Sequence, residues 1–530
     1  MRTLKNLLLC TGIIALSSCD RLDDFIGDGG GGDEPKGTIF ENKSNLEPLV
    51  SIMPQFSFVE AYSLISTSDV LPGNFQIAGA ADGAGFLKDP SSDGYIYMLN
   101  CEDDYSVVRI KLDEYLNPVS GEYVLNSGVA DFARQCSGTM WERDIHGGAQ
   151  DLYLSASENF NYDVKGLDPY QAVPTPTADF GLDALGEFHW ENAVPLPRDA
   201  YSGKTVIIGG DDDSSGSEGQ VTLYYSENGD GDLHGGKIYV LKVKQVSDGT
   251  VDDEGNPGVM DADPNTTYNE GDLDFGATYD VEFVEIENGG AMTREEMEDA
   301  SMAVNAFQFM RVEDVDYQKG SDANGRNVYF AVTGRGPGRG TYNDWGTVYK
   351  LELDEDSPMS GKLTQIISGN TDTNNMDGNL PSLQSPDNIC VTENFIYTQE
   401  DPNSFSRGHT AYIYQSDLNG NSTRVVLEFV VRSDLAKDGS VGGGSDTEEF
   451  DRDSGEYGSL IDISDKVGEP DTFLLALQPH YWESDDFLSL DGHDLRNNPE
   501  AIAAAEAREG FSPREDDQGS QVLIIKGLPR

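Results

Sequence analysis

The sequence predicts an all-β protein, a β-propeller of about six blades with long acidic loop insertions and a few short surface helices. Three observations carry this. From about residue 50 onward, short runs rich in β-branched and aromatic residues recur with turn residues between them. Many runs come in pairs, the second of the form Φ-Tyr-x-Leu: Gly236-Lys237-Ile238-Tyr239-Val240-Leu241 and Gly346-Thr347-Val348-Tyr349-Lys350-Leu351 match closely. Helix signals are few. Repeated two-strand units suit propeller blades, with a sandwich or parallel β-helix as the alternative. In a propeller the strand ends share one channel, whereas a sandwich scatters them.

Taken in order, the chain opens on a targeting segment, residues 1–19. Arg2 and Lys5 precede the apolar run Leu7 to Leu16, which is too short to span a membrane, and Leu16-Ser17-Ser18-Cys19 has the form of a bacterial lipobox. Cys19 is then the lipidated first residue of the mature chain. An ordinary cleaved signal would not need a cysteine there. Asp20, Asp23 and Asp24 resemble an acidic surface-export signal, and residues 20–45, rich in Gly and Asp, read as a flexible tether. The expected location is the bacterial cell envelope, in the outer membrane, with membrane contact only through the lipid.

Residues 46–530 are expected to form one domain. Its strands include Gly94–Leu99, Ser106–Leu112, Leu152–Ser155, Thr205–Ile208, Lys237–Val243, Asn327–Thr333, Phe395–Thr398 and Ala411–Tyr414. Thr293–Ala300 carries a Thr cap, and the Ala-rich run Asn498–Arg508 starts on a proline turn; both read as surface helices. Stretches 210–236, 247–276 and 433–458 are rich in Asp, Gly and Asn and read as long loops.

Charge excludes one class of partner. The chain has 95 Asp and Glu against 35 Lys and Arg, a net charge of -60, and a pI near 4.1. Nucleic acid is therefore not a partner. A solvated acidic surface accounts for most of these carboxylates. Removing Cys10 with the signal and assigning Cys19 to lipid leaves Cys101, Cys136 and Cys390, too few for a disulfide scaffold.

Several strand ends carry carboxylates: Asn100-Cys101-Glu102, Ser157-Glu158-Asn159, Gly210-Asp211-Asp212 and Gln399-Glu400-Asp401. A further strand runs into Gly334-Arg335-Gly336-Pro337-Gly338-Arg339-Gly340, where guanidinium groups and exposed N–H groups suit an oxyanion. These read as one polar site gathered from several strands. Each member also has a plainer reading: a buried apolar cysteine, an Asx turn, or an arginine paired with a surface acid.

In order along residues 75–485, the motifs resemble those of the PhoX-type alkaline phosphatases, secreted β-propeller phosphatases that use iron and calcium. Asn100-Cys101-Glu102 is similar to that family's Asn-His-Glu turn, with Cys101 replacing the histidine. Cys136-Ser137-Gly138-Thr139 with Ser157-Glu158-Asn159, Phe188-His189-Trp190-Glu191, Arg311-Val312-Glu313-Asp314 and Ser385-Pro386-Asp387-Asn388 resemble further elements, as does Gln478-Pro479-His480. Thr341 stands where the family has a glutamate.

The resemblance implies a phosphatase acting, as a monomer, on a phosphoester. Cys136, Glu158, Glu191 and Asp211 would hold iron; Glu102, Glu313, Asp387 and Glu400 would hold calcium or complete the cluster; Arg339, with Arg335 in reserve, would clamp the phosphoryl group. Two other readings remain: a non-catalytic, calcium-stabilised propeller binding a surface partner or glycan, and a calcium-dependent lactonase-like hydrolase, which needs neither Cys136 nor the arginine loop.

Overall fold

Among the described residues, six antiparallel blades, two of them fused into one sheet, stand around a common axis in a computed structural model of the chain, the arrangement of a β-propeller. The structure describes residues 37–102, 104–130, 133–159, 162–173, 180–213, 219–336, 342–370, 378–402, 406–436, 455–493 and 517–530. The lipobox with Cys19, Arg339, Thr341 and the 498–508 helix expectation lie outside them. Residues Ile39–Arg530 make one compact unit. Among the described residues, no helix is long and apolar enough to cross a membrane.

The innermost strands are Ala81–Lys88, Gln135–Trp141, Trp190–Pro195, Val312–Tyr317, Pro386–Val391 and Glu456–Asp462. Each packs against the next, and the last returns to the first. The ring closes through tight backbone approaches that tolerate no side chain. A Cβ on Gly83 would stand 2.1 Å from the Gly138 nitrogen, and one on Gly458 would stand 2.5 Å from the Ala81 carbonyl oxygen.

The first blade adds Tyr95–Cys101, Ser106–Leu112 and Pro118–Leu125 in chain order, and the second has three strands. Blades three and four are fused. Strand Thr278–Glu285 pairs on one side with Lys237–Val243 and on the other with Ser360–Ser368, giving a single nine-stranded sheet. In the sixth blade Gln521–Lys526, near the C-terminus, pairs with Glu60–Ser66. Early and late segments of the described chain thus share one blade, which closes the ring.

Two expected loops contain strands. Residues 210–236 include Val221–Ser226, the third strand of its blade, and 247–276 takes in most of the hairpin Gln245–Val251 with Pro257–Asp261. Both were masked in the sequence by neighbouring Asp and Gly. The Arg294–Ala303 helix has the expected cap, a Thr293 capping box, but it is not purely a surface element: Met297 is fully buried beneath it.

Packing of apolar side chains between neighbouring sheets supplies the core, as in the cluster of Phe309, Phe330 and Tyr349, whose rings lie 5.1–5.3 Å apart. One polar group is sealed in as well. His146 is buried and accepts a hydrogen bond at Nδ1 from the Glu142 N–H, and burial with Lys319 and Lys466 nearby pushes its pKa down to about 3. The folded form therefore stays neutral while the unfolded chain takes a proton below pH ~6.5, so stability is lost as pH falls through that window. Between pH 7.5 and 5 the wild type should lose about 2 kcal/mol more than His146→Asn, measured by urea unfolding at the two pH values. Equal losses would place the pH sensitivity elsewhere.

Candidate functional site

One irregularity repeats in all six blades. Every innermost strand shifts register near its start, between Ala81 and Ala84, Gln135 and Gly138, Trp190 and Asn192, Val312 and Val315, Pro386 and Ile389, and Tyr457 and Leu460. A β-bulge leaves a residue unpaired and turns its side chain out of the usual alternation. In five blades the residue after the strand's first pair is Asp82, Cys136, Glu191, Glu313 or Asp387, and in the sixth Glu456 opens the strand. One end of the channel is thereby ringed with acids and one thiol.

A second set comes from the neighbouring strand of five of the six blades. Glu102, Glu158, Asp212 and Asp401 are the residues just past the ends of Tyr95–Cys101, Leu152–Ser157, Thr205–Asp211 and Phe395–Glu400, and His480 follows Thr472–Gln478 at one residue's remove. The two sets interleave. Four trios have donor atoms within 4.8 Å of one another: Asp82, Cys136 and Glu191; Glu102, Cys136 and Glu158; Glu191, Asp212 and Glu313; Asp401, Glu456 and His480.

Two guanidinium groups are set among these acids. Arg134 lies 3.3 Å from Glu102 and 3.2 Å from Glu158. Arg311 donates to both Asp212 oxygens at 2.7 and 2.9 Å and stands 3.0 Å from Glu313. Burial, and then the neighbouring carboxylates, raises Asp82, Glu191 and Glu456 well above the ordinary carboxylate range, and Asp387 likewise despite the opposing pull of Arg311. Glu313 rises for the same first reason, although Arg311 opposes it. Glu158 goes the other way: burial raises it, but Arg134, Arg311 and His189 together bring it below its usual value.

Buried like charges at this density are unfavourable unless protonated or matched by cations. The donor set fits cations: carboxylate oxygens suit hard divalent ions, and the thiol of Cys136 suits a transition metal. Cys101, Cys136 and Cys390 are all free, so no disulfide removes that sulfur. Its Sγ lies 3.5 Å from Glu158. Asp387 Oδ1 is buried with no hydrogen-bond partner, an acceptor aimed at nothing the chain supplies.

The structure brings Cys136, Glu102, Glu158, Glu191 and Glu313 together, and Asp387 feels the charge of Asp401, Asp82, Arg311 and Asp212. Asp211 and Glu400 are corrections. Asp211 accepts from the His189 and Gln220 N–H groups at 3.0 and 3.2 Å, and Glu400 from Gln384 and Tyr412, both at 2.9 Å. They tie backbone, and their successors Asp212 and Asp401 enter the channel instead. A strand alternates its faces, so one residue of slip exchanges a structural acid for a site acid. Arg335 bonds through its backbone N–H to the Asn343 carbonyl at 3.1 Å, and Arg134 and Arg311 are the arginines that reach the cluster.

Asp82 and Glu456 were missed, although a signal existed. Ala81-Asp82-Gly83, Gln135-Cys136-Ser137, Trp190-Glu191-Asn192, Val312-Glu313-Asp314 and Pro386-Asp387-Asn388 form an internal repeat of a ligand-type residue followed by a small or polar one.

No family model matches the chain, and no curated protein matches it. Among solved structures, it is similar to an α-L-arabinofuranosidase of Fusarium graminearum at 10% identity, covering 87% of this chain and 97% of that one, with a TM-score of 0.37. A PQQ-bound aldose sugar dehydrogenase from Streptomyces coelicolor matches at 7% identity, with 88% and 98% covered and a TM-score of 0.27. A putative glycoside hydrolase from Bacteroides ovatus matches at 9%, with 82% and 94% covered and a TM-score of 0.27.

The expectation of phosphoester hydrolysis is corrected. The site supplies the physical reason: Arg134 and Arg311 are already held by two carboxylates each, in a channel whose other groups are mostly acids. Without bound cations, a phosphate dianion would face net repulsion there.

Proposed function

We propose that the protein is a cation-dependent hydrolase whose propeller channel acts on a neutral, hydroxyl-rich substrate such as a glycan. The observation that carries this reading is the bulged ring of acids, contributed by every blade and matched by only two arginines among the described residues that reach it. Divalent cations are the natural counter-charge. Cys136 with Glu102, Glu158, Asp82 and Glu191 would hold the softer metal, for which iron fits, and Asp401, Glu456 and His480 a harder one such as calcium.

A bound cation would supply positive charge that acidifies water near neutral pH and steadies charge building on a substrate oxygen. The chain's own residues do the rest. Arg134 fixes Glu102 and Glu158 in place, and Arg311 fixes Asp212 and Glu313. The partly exposed groups at the rim, Glu102, Glu158, His189 and His480, offer acceptors and donors side by side. Hydroxyl groups bond to such a rim without breaking its ion pairs, whereas an anion would have to break them.

The test is elemental analysis of the purified protein beside a Glu191→Gln variant, with both assayed on chromogenic glycosides and on a polysaccharide panel. Bound metal in the parent, reduced in the variant together with at least tenfold lower turnover, is the expected result. Metal-free protein would sink the reading. Metal without turnover on any glycan would leave a binding propeller and remove the hydrolase.

A further inference from the structure

The channel has a second chamber at the far end of the same six strands. A cavity of about 490 Å³ opens there. A polar plug separates it from the acid ring: Thr139 donates to Asn192 at 3.1 Å, Ser137 to Asn388 at 3.3 Å, and Asn388 to Asp82 at 3.3 Å. The two ends are therefore distinct sites.

Among the buried and part-buried groups of this chamber, charges are matched with one exception at its floor, while the exposed Glu393 at the edge also has no cation partner. Lys319 is bonded to Asp316, Lys466 donates to Glu142 at 2.7 Å, and Arg530 holds Asp465 at 3.0 Å and Asp462 at 2.6 Å. Asp314 has no such cation. Its carboxylate is buried and accepts from Asn192, from the Val315 N–H at 2.7 Å and from the Ile389 N–H at 3.1 Å. Neutral dipoles hold it in place without cancelling its charge. Above it stand the apolar walls, including Phe86, Met140, Val194, Tyr317 and Leu460.

We propose that this chamber binds a small organic cation, an amine with an apolar body, whose ammonium group pairs with Asp314 while the body packs against Phe86, Met140 and Tyr317. The volume falls within the range of small-molecule sites. An organic anion would meet three cations that are already occupied and an uncompensated carboxylate. A purely apolar ligand would bury Asp314 further without a partner, which is costly.

Calorimetric titration of the full protein at pH 7.5 and 150 mM salt, with benzylamine, benzyl alcohol and benzoate as probes, tests this. Benzylamine should saturate, with the other two at least tenfold weaker. Asp314→Asn should weaken benzylamine at least tenfold. Ile461→Trp, which fills the cavity from its wall and leaves Asp314 untouched, should do the same if the asparagine variant folds poorly. Glu456→Gln, at the acid ring, should retain the binding. The proposal is overturned if benzoate or benzyl alcohol binds as well as benzylamine, if benzylamine fails to saturate below about 10 mM, or if its affinity survives in Ile461→Trp.

Discussion

Stripping divalent cations from the protein at pH 7.5 is expected to lower its thermal midpoint by about 5–8 °C, with calcium restoring it. A ligand that binds only the folded state adds about 2.7 kcal/mol when present at a hundred times its dissociation constant. Two or three occupied sites therefore add roughly 5–8 kcal/mol, and each kcal/mol moves the midpoint of a chain this long by about 1 °C, below the value for smaller domains. The cause is local. Asp82, Glu191, Glu313, Asp387 and Glu456 are each buried beside other acids, so the cation-free fold carries their repulsion.

The sign of the pH dependence distinguishes this from general loosening. Carboxylates whose folded pKa is raised take up protons on folding, so their stabilising contribution is present at low pH and is lost as pH rises through the folded values. The stripped protein should thus approach the loaded one in stability as pH falls from 8 to 5.5. Differential scanning calorimetry on both forms at the two pH values reads this directly. A gap that stays constant would show that cations act away from the acid ring, and no gap at all would leave the ring without bound cations.

How far the sequence revealed this site follows from what strand periodicity can and cannot carry. The paired strands and their Φ-Tyr-x-Leu second members predicted the propeller, because alternation and turn residues are local signals. The convergence of strand-end acids was legible for the same reason: a propeller directs all its inner strands at one axis. Which acid points inward was not. Asp211 and Asp212, or Glu400 and Asp401, differ by a single step, and only the bulge and the strand's end decide which one faces the channel.

Two further features rest on long-range pairing that no local signal announces. Thr278–Glu285 bridges two blades, and Glu60–Ser66 closes the ring beside Gln521–Lys526. The phosphatase expectation failed at another level. It rested on ordered short motifs, and the same acids and glycines are what any bulged ring of inner strands needs. The motif order located the ring without fixing its chemistry.

Replacing Arg311 by methionine should cost about 3–5 kcal/mol in the cation-free protein, and markedly less in calcium. Arg311 is part-buried, its Nε and Nη2 hold both oxygens of the buried Asp212, and Nη2 reaches the buried Glu313. Methionine keeps the packed stem and removes the charge, which leaves two buried carboxylates facing each other near Glu191. Breaking one side of a buried pair is penalised because the other side stays desolvated and unmatched. A bound cation beside Asp212 and Glu313 would take over part of the lost counter-charge, so calcium should rescue the variant more than it stabilises the parent. Backbone strain does not separate the two proteins, since position 311 has φ 70° and neither side chain relieves it. Adding Asp212→Asn to Arg311→Met should recover part of the loss, a non-additivity that urea unfolding of the four proteins measures. Equal losses with and without calcium, and no recovery in the double variant, would mean that Arg311 acts through packing, and the acid ring would then need no cation to balance it.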